Sequence, residues 1–267
     1  YAMLAARRIA IEPKGIAVGV RLEHPQPLID CLQYHSAQGR GPFLPPAEYS
    51  MLTRVDGRAV YSFCMCPGGV IVPAATAAGQ LVVNGMSSSS RGSRWANSGM
   101  VVEVLPDDLP DYDRYGPLKM MHYQHDIESA FSRAAGGGQQ APAQRMTDFV
   151  AARDSASLPR SSYAPGVFPG RVDRLLPAPV ASRLARGFAE FGRRARGFLT
   201  PEAIVIGPET RTSSPVRIPR DPATRAHIAA PGLYPVGEGA GYAGGIVSAA
   251  IDGINTARAV ADSMRAL

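Results

Sequence analysis

The chain has 267 residues, of which 45% are hydrophobic and 19% are charged, and its formal net charge is +6. Its 28 glycines and 24 prolines make up about a fifth of the residues, against about 12% in an average protein. This composition excludes a coiled coil, and because the glycines lack a period of three it also excludes collagen. No run of about 18 apolar residues occurs, so no membrane-spanning helix is predicted.

The first half of the chain predicts several short strands. Strands are expected at 14–23, 59–66, 70–76, 79–86 and 100–105, where β-branched and apolar residues cluster between Pro- and Gly-containing breaks. The segments 31–58 and 87–99 are rich in Gly, Pro, Ser and Asn and are predicted to be loops. Closely spaced short strands favour an antiparallel sheet.

The second half alternates helices with extended segments. Apolar residues recur at helical spacing in 118–135, and Gly136 follows that helix. A short helix is predicted at 145–153 and a longer one from Val180, after a Pro- and Ser-rich connection. Strands are expected at 202–209 and 233–238, with an extended segment at 210–221 between them. A final helix is predicted from about Ala243 to Met264.

The three cysteines, Cys31, Cys64 and Cys66, are too few for a disulfide framework. With no apolar signal-peptide core after Met3, they are consistent with a cytoplasmic protein. Cys64 and Cys66 also lack the two further ligands of a tetrahedral zinc site at any suitable spacing, so no metal is expected. They are interpreted either as strand cysteines packed in a sheet or as a thiol pair beside a redox cofactor.

The most informative segment is the glycine-rich turn, residues 237–245, between the predicted strand 233–238 and the last helix. Residues 239–244 match G-x-G-x-x-G, but the chain has no second parallel strand after this turn, so it cannot begin a mononucleotide-binding unit. A glycine-rich turn at a helix N-terminus can instead bind an anion, because unpaired N–H groups and the helix dipole favour negative charge there. The alternative is that the small residues serve close helix packing.

Several longer motifs resemble a largely uncharacterised family of FAD-dependent dehydrogenases that is similar to glutathione reductase and other two-domain flavoproteins. The motifs are GVRLEHPQ at 19–26, YSFCMCPGG at 61–69, VNGMSSSSR at 83–91, ANS at 96–98, ETRTSSPVRI at 209–218 and PVGEGAGYAGGIVSAAIDGI at 235–254. The resemblance implies FAD as cofactor, with the last helix facing the flavin. It implies cofactor contacts from Gly237, Glu238, Gly239, Ala240, Gly241, Tyr242, Ala243, Gly244, Gly245 and Ile246.

One departure from the family concerns the N-terminal βαβ unit that holds the ADP half of FAD. No glycine fingerprint occurs before residue 232, so the chain resembles the C-terminal half of such a protein. The expected fold class is α+β. The expected domains are a residual segment or linker at 1–14, an antiparallel-sheet substrate domain at 15–198 and the C-terminal part of the FAD-binding domain at 199–267.

Candidate reactive residues lie near the predicted strand ends. Arg21 could hold an anionic substrate and His24 could transfer protons, although a surface ion pair explains Arg21 and Glu23 equally well. The resemblance adds Cys64 and Cys66 as residues near the flavin. The substrate-side candidates are Glu23, Asn97, Glu209, Arg211, Thr212 and Ser213.

The sequence thus predicts part of an FAD-dependent oxidoreductase acting on an unidentified small molecule. The missing nucleotide-binding half, or a partner chain supplying it, is the expected partner. Two alternatives remain open: a non-catalytic remnant that binds FAD only with a partner chain, and an RNA-associated protein using the arginine-rich stretch 171–196. A solvated helix face is the simpler interpretation of that stretch, so nucleic acid and membrane are not expected partners.

Overall fold

The computed structural model describes residues 1–265, which form an α+β structure. The helices are α1 (Ala2–Ala6), α2 (Gln26–Tyr34), α3 (Lys119–Ala134), α4 (Met146–Val150), α5 (Val172–Leu175), α6 (Ala178–Arg194) and α7 (Ile246–Arg265), with 3-10 helices at Pro106–Asp108 and Pro110–Leu118. The strands are β1 (Glu12–Pro13), β2 (Ile16–Pro25), β3 (Leu52–Val55), β4 (Arg58–Cys66), β5 (Gly69–Pro73), β6 (Val83–Ser87), β7 (Trp95–Val104), β8 (Ala141–Arg145), β9 (Val167–Pro169), β10 (Ile204–Glu209) and β11 (Val216–Arg217). No described helix is both long enough and apolar enough to cross a membrane.

The chain divides into two compact units. The first unit contains Tyr1–Ala17, Val104–Gln124 and the chain from Arg211 onward, and the second contains Val18–Glu103 and His125–Thr210. The domain boundaries predicted at 14/15 and 198/199 stay predictions.

The second unit is built on a sheet of seven strands in the order β3-β4-β7-β2-β10-β8-β9. The pairings β3–β4, β4–β7, β2–β10 and β8–β10 are antiparallel, whereas β8 and β9 are parallel. Strands β5 and β6 form a separate antiparallel pair. The predicted antiparallel sheet is therefore confirmed, with one parallel edge pair added.

Helix α6 covers part of this sheet with one apolar face. Its buried residues include Leu184, Phe188 and Phe191, spaced three to four positions apart as on one side of a helix. Gly187 lies on the same face, and a Cβ there would come within 2.7 Å of Val60 Cγ1 on β4. The glycine therefore lets the helix approach the sheet closely, and Phe149 of α4 packs beside Phe188.

Several sequence predictions about elements are wrong, and one of them concerns strand β3 (Leu52–Val55), which lies inside the loop predicted at 31–58. Helix α2 runs from Gln26 into the loop predicted at 31–58 and ends at Tyr34. Pro27 stands in its first turn, where the missing N–H of proline costs nothing. Strand β7 begins at Trp95, inside another predicted loop. The strand predicted at 233–238 does not form, and these residues are irregular, with Pro235 unable to donate a ladder hydrogen bond and Gly237 at φ +73°.

His24 lies at the end of β2 in a fully buried aromatic cluster. Its Nε2–H donates to the Phe198 carbonyl at 2.8 Å, and its ring packs against Phe198 and Tyr49. Nδ1 is buried and has no hydrogen-bond partner in the part of the chain that the structure describes. Burial lowers the pKa of His24 from 6.5 to about 4, since the charged imidazolium would be desolvated.

We predict that His24 makes the free energy of unfolding fall as the pH drops from about 6.5 to 4. In this window the unfolded chain takes up a proton that the folded protein excludes, which removes about 3 kcal/mol of stability. The variant His24→Gln keeps an N–H donor for Phe198 but does not titrate. Urea unfolding at several pH values should show a smaller loss for the variant than for the wild type, and equal losses would contradict the prediction.

Candidate functional site

Arg21 is the centre of a buried polar cluster in the second unit, and its side chain is completely buried. Its Nε donates to Glu209 Oε2 at 2.7 Å, which joins β2 to β10 through a buried ion pair. Burial alone would lower the pKa of Arg21, but the Glu209 carboxylate raises it overall. Burial also raises the pKa of Glu209, and Arg21 opposes that shift. The sequence alternative of a surface ion pair is therefore wrong for Arg21.

A bulge in β10 aims Glu209 at Arg21. Arg21 pairs with Ile206, but Gly19 pairs with Glu209, so β10 advances three residues where β2 advances two. Successive strand residues point to opposite faces, and without this extra residue Glu209 would face away from Arg21. The residue of β2 opposite Glu209 must be a glycine, because a Cβ on Gly19 would lie 2.0 Å from the Met100 carbonyl oxygen of β7.

The remaining N–H groups of Arg21 bind three other segments. Nη1 donates to the Cys64 carbonyl at 2.9 Å and to Asn97 Oδ1 at 3.1 Å, and Nη2 donates to Asn84 Oδ1 at 2.7 Å. Gly85 completes the cluster, since a Cβ at this position would come within 2.4 Å of Arg21 Nη1. The Nδ2 of Asn97 is buried and has no partner among the described residues.

The two cysteines of β4 lie at the edge of this cluster, on a second bulge. From Phe63 to Cys66 the strand advances three residues while β7 advances two, and Cys64 has a positive φ of +44°. The side chain of Cys64 is exposed, whereas Cys66 is buried, with its Sγ donating to the Cys64 carbonyl at 3.3 Å. No group of three or more His, Cys, Asp or Glu in residues 1–265 could hold a metal ion.

The structure thus brings together Arg21, Asn97, Glu209, Cys64 and Cys66 from separate parts of the sequence. The sequence reasoning missed Asn84 and Gly85, although a glycine inside a strand signals close approach of another group.

Other candidates make different contacts. The buried Glu23 carboxylate accepts hydrogen bonds from the backbone N–H and the hydroxyl of Ser162, and His24 lies in the aromatic cluster described above. The surface-pair alternative is therefore wrong for Glu23 as well. In the first unit, Thr212 Oγ1 bonds both backbone groups of Ala17. Ser213 Oγ accepts from Lys14, and Arg211 is half-buried. The catalytic and substrate roles of these residues stay predictions.

The glycine-rich turn lies in the first unit and is anchored to α7 by Asp252. This carboxylate accepts two hydrogen bonds from Arg220, one from Arg225 and one from the backbone N–H of Gly237, at 2.6–2.9 Å. The hydrogen bonds from Arg220 hold the pKa of Asp252 far below its usual range. The Arg220 guanidinium also stacks on the Tyr242 ring at 3.7 Å. Tyr242, a predicted cofactor contact, therefore also packs against the arginine that holds the turn.

The structure explains why glycine stands at some positions of the turn but not at others. Gly237 and Gly241 have positive φ angles, and a Cβ on Gly241 would lie 2.9 Å from the Val216 carbonyl oxygen. Gly239 and Gly244 have neither feature, since nothing described lies within 4 Å of a Cβ at either position. Conformation and packing within the chain thus explain the first two glycines but not the second two.

The start of α7 is open beside these glycines. Its first intrahelical hydrogen bond is donated by Ala249, so the N–H groups of Ile246, Val247 and Ser248 precede the helical ladder. Exposure is 91% for Ile246 and 71% for Val247. Open space over glycines, unpaired N–H groups and exposed apolar side chains fit a flat aromatic ring with a polar edge, as in a flavin.

Four of the seven arginines in the arginine-rich stretch 171–196 form ion pairs within the second unit. Arg171 pairs with Asp173, Arg186 pairs with Asp56, and Arg193 and Arg194 both pair with Glu190. These ion pairs favour the solvated-face interpretation of 171–196.

We predict that Arg21→Met lowers the free energy of unfolding by about 3–5 kcal/mol, because it leaves the Glu209 carboxylate buried without its partner. The double variant Arg21→Met/Glu209→Gln should be more stable than the single variant, since no buried charge remains. Arg186→Met, which breaks an exposed ion pair, should cost at most about 1 kcal/mol. Urea unfolding checks all three, and similar losses for Arg21→Met and Arg186→Met would contradict the prediction.

Comparison with known proteins assigns the chain to a family. Residues 15–212 match the model of the family described as FAD-dependent protein, C-terminal domain-like. An uncharacterised protein of Clostridium beijerinckii is 42% identical over 261 residues, which cover 96% of this chain and 48% of that protein. The chain thus spans about half the length of this curated relative. FAD is the cofactor of the matched family, and the chain belongs to this family of FAD-dependent proteins.

Proposed function

We propose that the chain is the flavin-edge and substrate-bearing part of an FAD-dependent oxidoreductase acting on a small molecule. The observation that carries this proposal is the glycine-rich turn, where Gly239 and Gly244 keep space open beside the start of α7. The matched family supports FAD as the cofactor. FAD, when bound, supplies the transfer of a hydride or an electron pair.

The residues of the turn and α7 have two roles in this proposal. The backbone N–H groups of Ile246, Val247 and Ser248 would hold the oxygen- and nitrogen-bearing edge of the ring, where the helix dipole favours negative charge. Glu238 is exposed at the turn and would bind a ribityl hydroxyl. Asp252 and Arg220 would fix the turn in position through the bonds described above.

The second unit is proposed to carry the substrate. Its Arg21 cluster brings a thiol, an amide and an ion pair together within the span that matches the family model. Arg21 would act as a positioning residue, because all the acceptors around it are protein groups and Glu209 balances its charge. Cys64 is the exposed member of the cluster and is the candidate for direct contact with substrate or cofactor.

A nucleotide-binding unit is the proposed partner, supplied by the same polypeptide or by another chain. The exposed apolar side chains of α7, with Ile251 at 53% and Ile254 at 54% exposure, favour a covering partner. The same observation favours the second candidate function, a non-catalytic subunit that binds FAD only with its partner. We place the protein in the cytoplasm, since none of the three cysteines forms a disulfide.

Flavin absorbance tests the proposal most simply. The protein is expressed with any in-frame coding sequence upstream of Tyr1 and purified. We expect the purified protein to contain flavin, with a visible absorbance band that bleaches under a chemical reductant. Protein that neither contains nor takes up FAD would contradict the proposal. FAD titration of the 267-residue chain alone separates the two candidate functions, because tight binding by this chain would exclude dependence on a partner.

We further predict that Gly244→Val weakens FAD binding by at least tenfold, since its side chain would occupy the open space over the turn. Gly253→Val is the matched control: Gly253 lies in α7 and also has nothing within 4 Å of a Cβ. Both variants should fold, as judged by circular dichroism. Equal FAD affinity for the two variants would contradict the assignment of the turn as the flavin contact.

A further inference from the structure

Two cations, Lys14 and Arg217, flank the glycine-rich turn within the first unit, and Arg217 also lies over the Tyr242 ring at 5.2 Å. A Cβ on Gly241 would lie 3.2 Å from Lys14 Cδ and 3.0 Å from Arg217 Cα, so both residues contact this glycine. The segments that carry Lys14 and Arg217 lie side by side because strand β1 pairs with strand β11. Directly after β1, the Lys14 N–H donates to the carbonyl of Pro215, the residue before β11.

Neither cation has a carboxylate partner in the described residues. Lys14 Nζ donates to Ser213 Oγ at 3.2 Å, and Arg217 Nη2 donates to the Gly241 carbonyl at 3.4 Å. Burial and Arg217 lower the pKa of Lys14, while the nearby Glu238 carboxylate opposes this without forming an ion pair. Glu12 stands opposite Arg217 in the strand pair and is exposed.

Two like charges held near each other repel, and the Glu238 carboxylate offsets this repulsion at Lys14 only in part. A bound anion would offset the rest. In the same unit, Arg220 and Arg225 share the carboxylate of Asp252, so Lys14 and Arg217 differ from these two arginines. The open positions Gly239 and Gly244 leave room for a ligand beside the backbone of the same turn.

We propose that Lys14 and Arg217 form an anion site that binds a phosphate or diphosphate group. The ammonium of Lys14 provides a point charge, and the guanidinium of Arg217 provides a planar pair of donors for phosphate oxygens. The phosphate could belong to the flavin nucleotide or to a phosphorylated substrate. The inference rests on the proposed function only if the flavin nucleotide is the source.

Inorganic pyrophosphate tests the site directly. Calorimetric titration of the 267-residue chain should show pyrophosphate binding that weakens about tenfold in Lys14→Gln and in Arg217→Gln, because each loses a charged hydrogen-bond donor. Lys14→Gln keeps a donor for Ser213. The control Arg186→Gln removes an exposed cation on α6 and should bind as the wild type does. Absence of binding, or equal affinity in all four proteins, would overturn the proposal.

Parallel titrations with FAD and riboflavin identify the source of the phosphate, using wild type and Lys14→Gln expressed with any in-frame coding sequence upstream of Tyr1. If it belongs to FAD, Lys14→Gln weakens FAD binding but leaves riboflavin binding unchanged. If the phosphate belongs to a substrate, Lys14→Gln weakens the binding of pyrophosphate and leaves the binding of both flavins unchanged. Failure of the proposed function is distinguishable, since pyrophosphate would then bind in a Lys14-dependent manner while neither flavin binds.

Discussion

The guanidinium of Arg21 is completely buried, and a buried charge is tolerated only when a counterion and hydrogen-bond acceptors surround it. This requirement organises the second unit. Glu209 must reach Arg21 from β10, which requires the bulge in that strand. Asn84 must reach it from β6, which requires the adjacent Gly85. The Cys64 carbonyl must reach it from β4, which requires a second bulge.

That second bulge has a chemical consequence. It exposes the Cys64 side chain while its carbonyl stays bonded to Arg21. The adjacent thiol of Cys66 remains buried and donates to the same carbonyl. The stability of the sheet and the presentation of an exposed thiol therefore depend on one ion pair.

The first unit applies the same principle through the buried carboxylate of Asp252. Four donors converge on this carboxylate and fix the glycine-rich turn against α7. The turn is thus held rigidly although much of it is exposed. Such preorganisation suits a ligand site, because little conformational entropy is lost when the ligand binds.

Local patterns predicted the elements whose signals lie within one segment. Strand β2 and helices α3, α6 and α7 follow from β-branched runs and helical spacing. The sequence also singled out Arg21, Asn97 and Glu209, which lie together in the structure, and the glycine-rich turn, and the functional roles of all of them stay predictions.

Contacts between distant residues were beyond sequence reasoning. Asn84 meets Arg21 across 63 positions, and Lys14 meets Ser213 across 199, and neither separation leaves a periodic signal. The burial of His24 likewise depends on tertiary neighbours, since it packs against Tyr49 and Phe198.

The central claim is that the start of α7 binds the polar edge of the flavin. Amide hydrogen exchange at Ile246, Val247 and Ser248, measured with and without FAD, tests it most directly. Our account predicts that exchange at these three amides slows markedly when FAD is bound. Unchanged exchange at all three, in protein shown by absorbance to contain FAD, would contradict it.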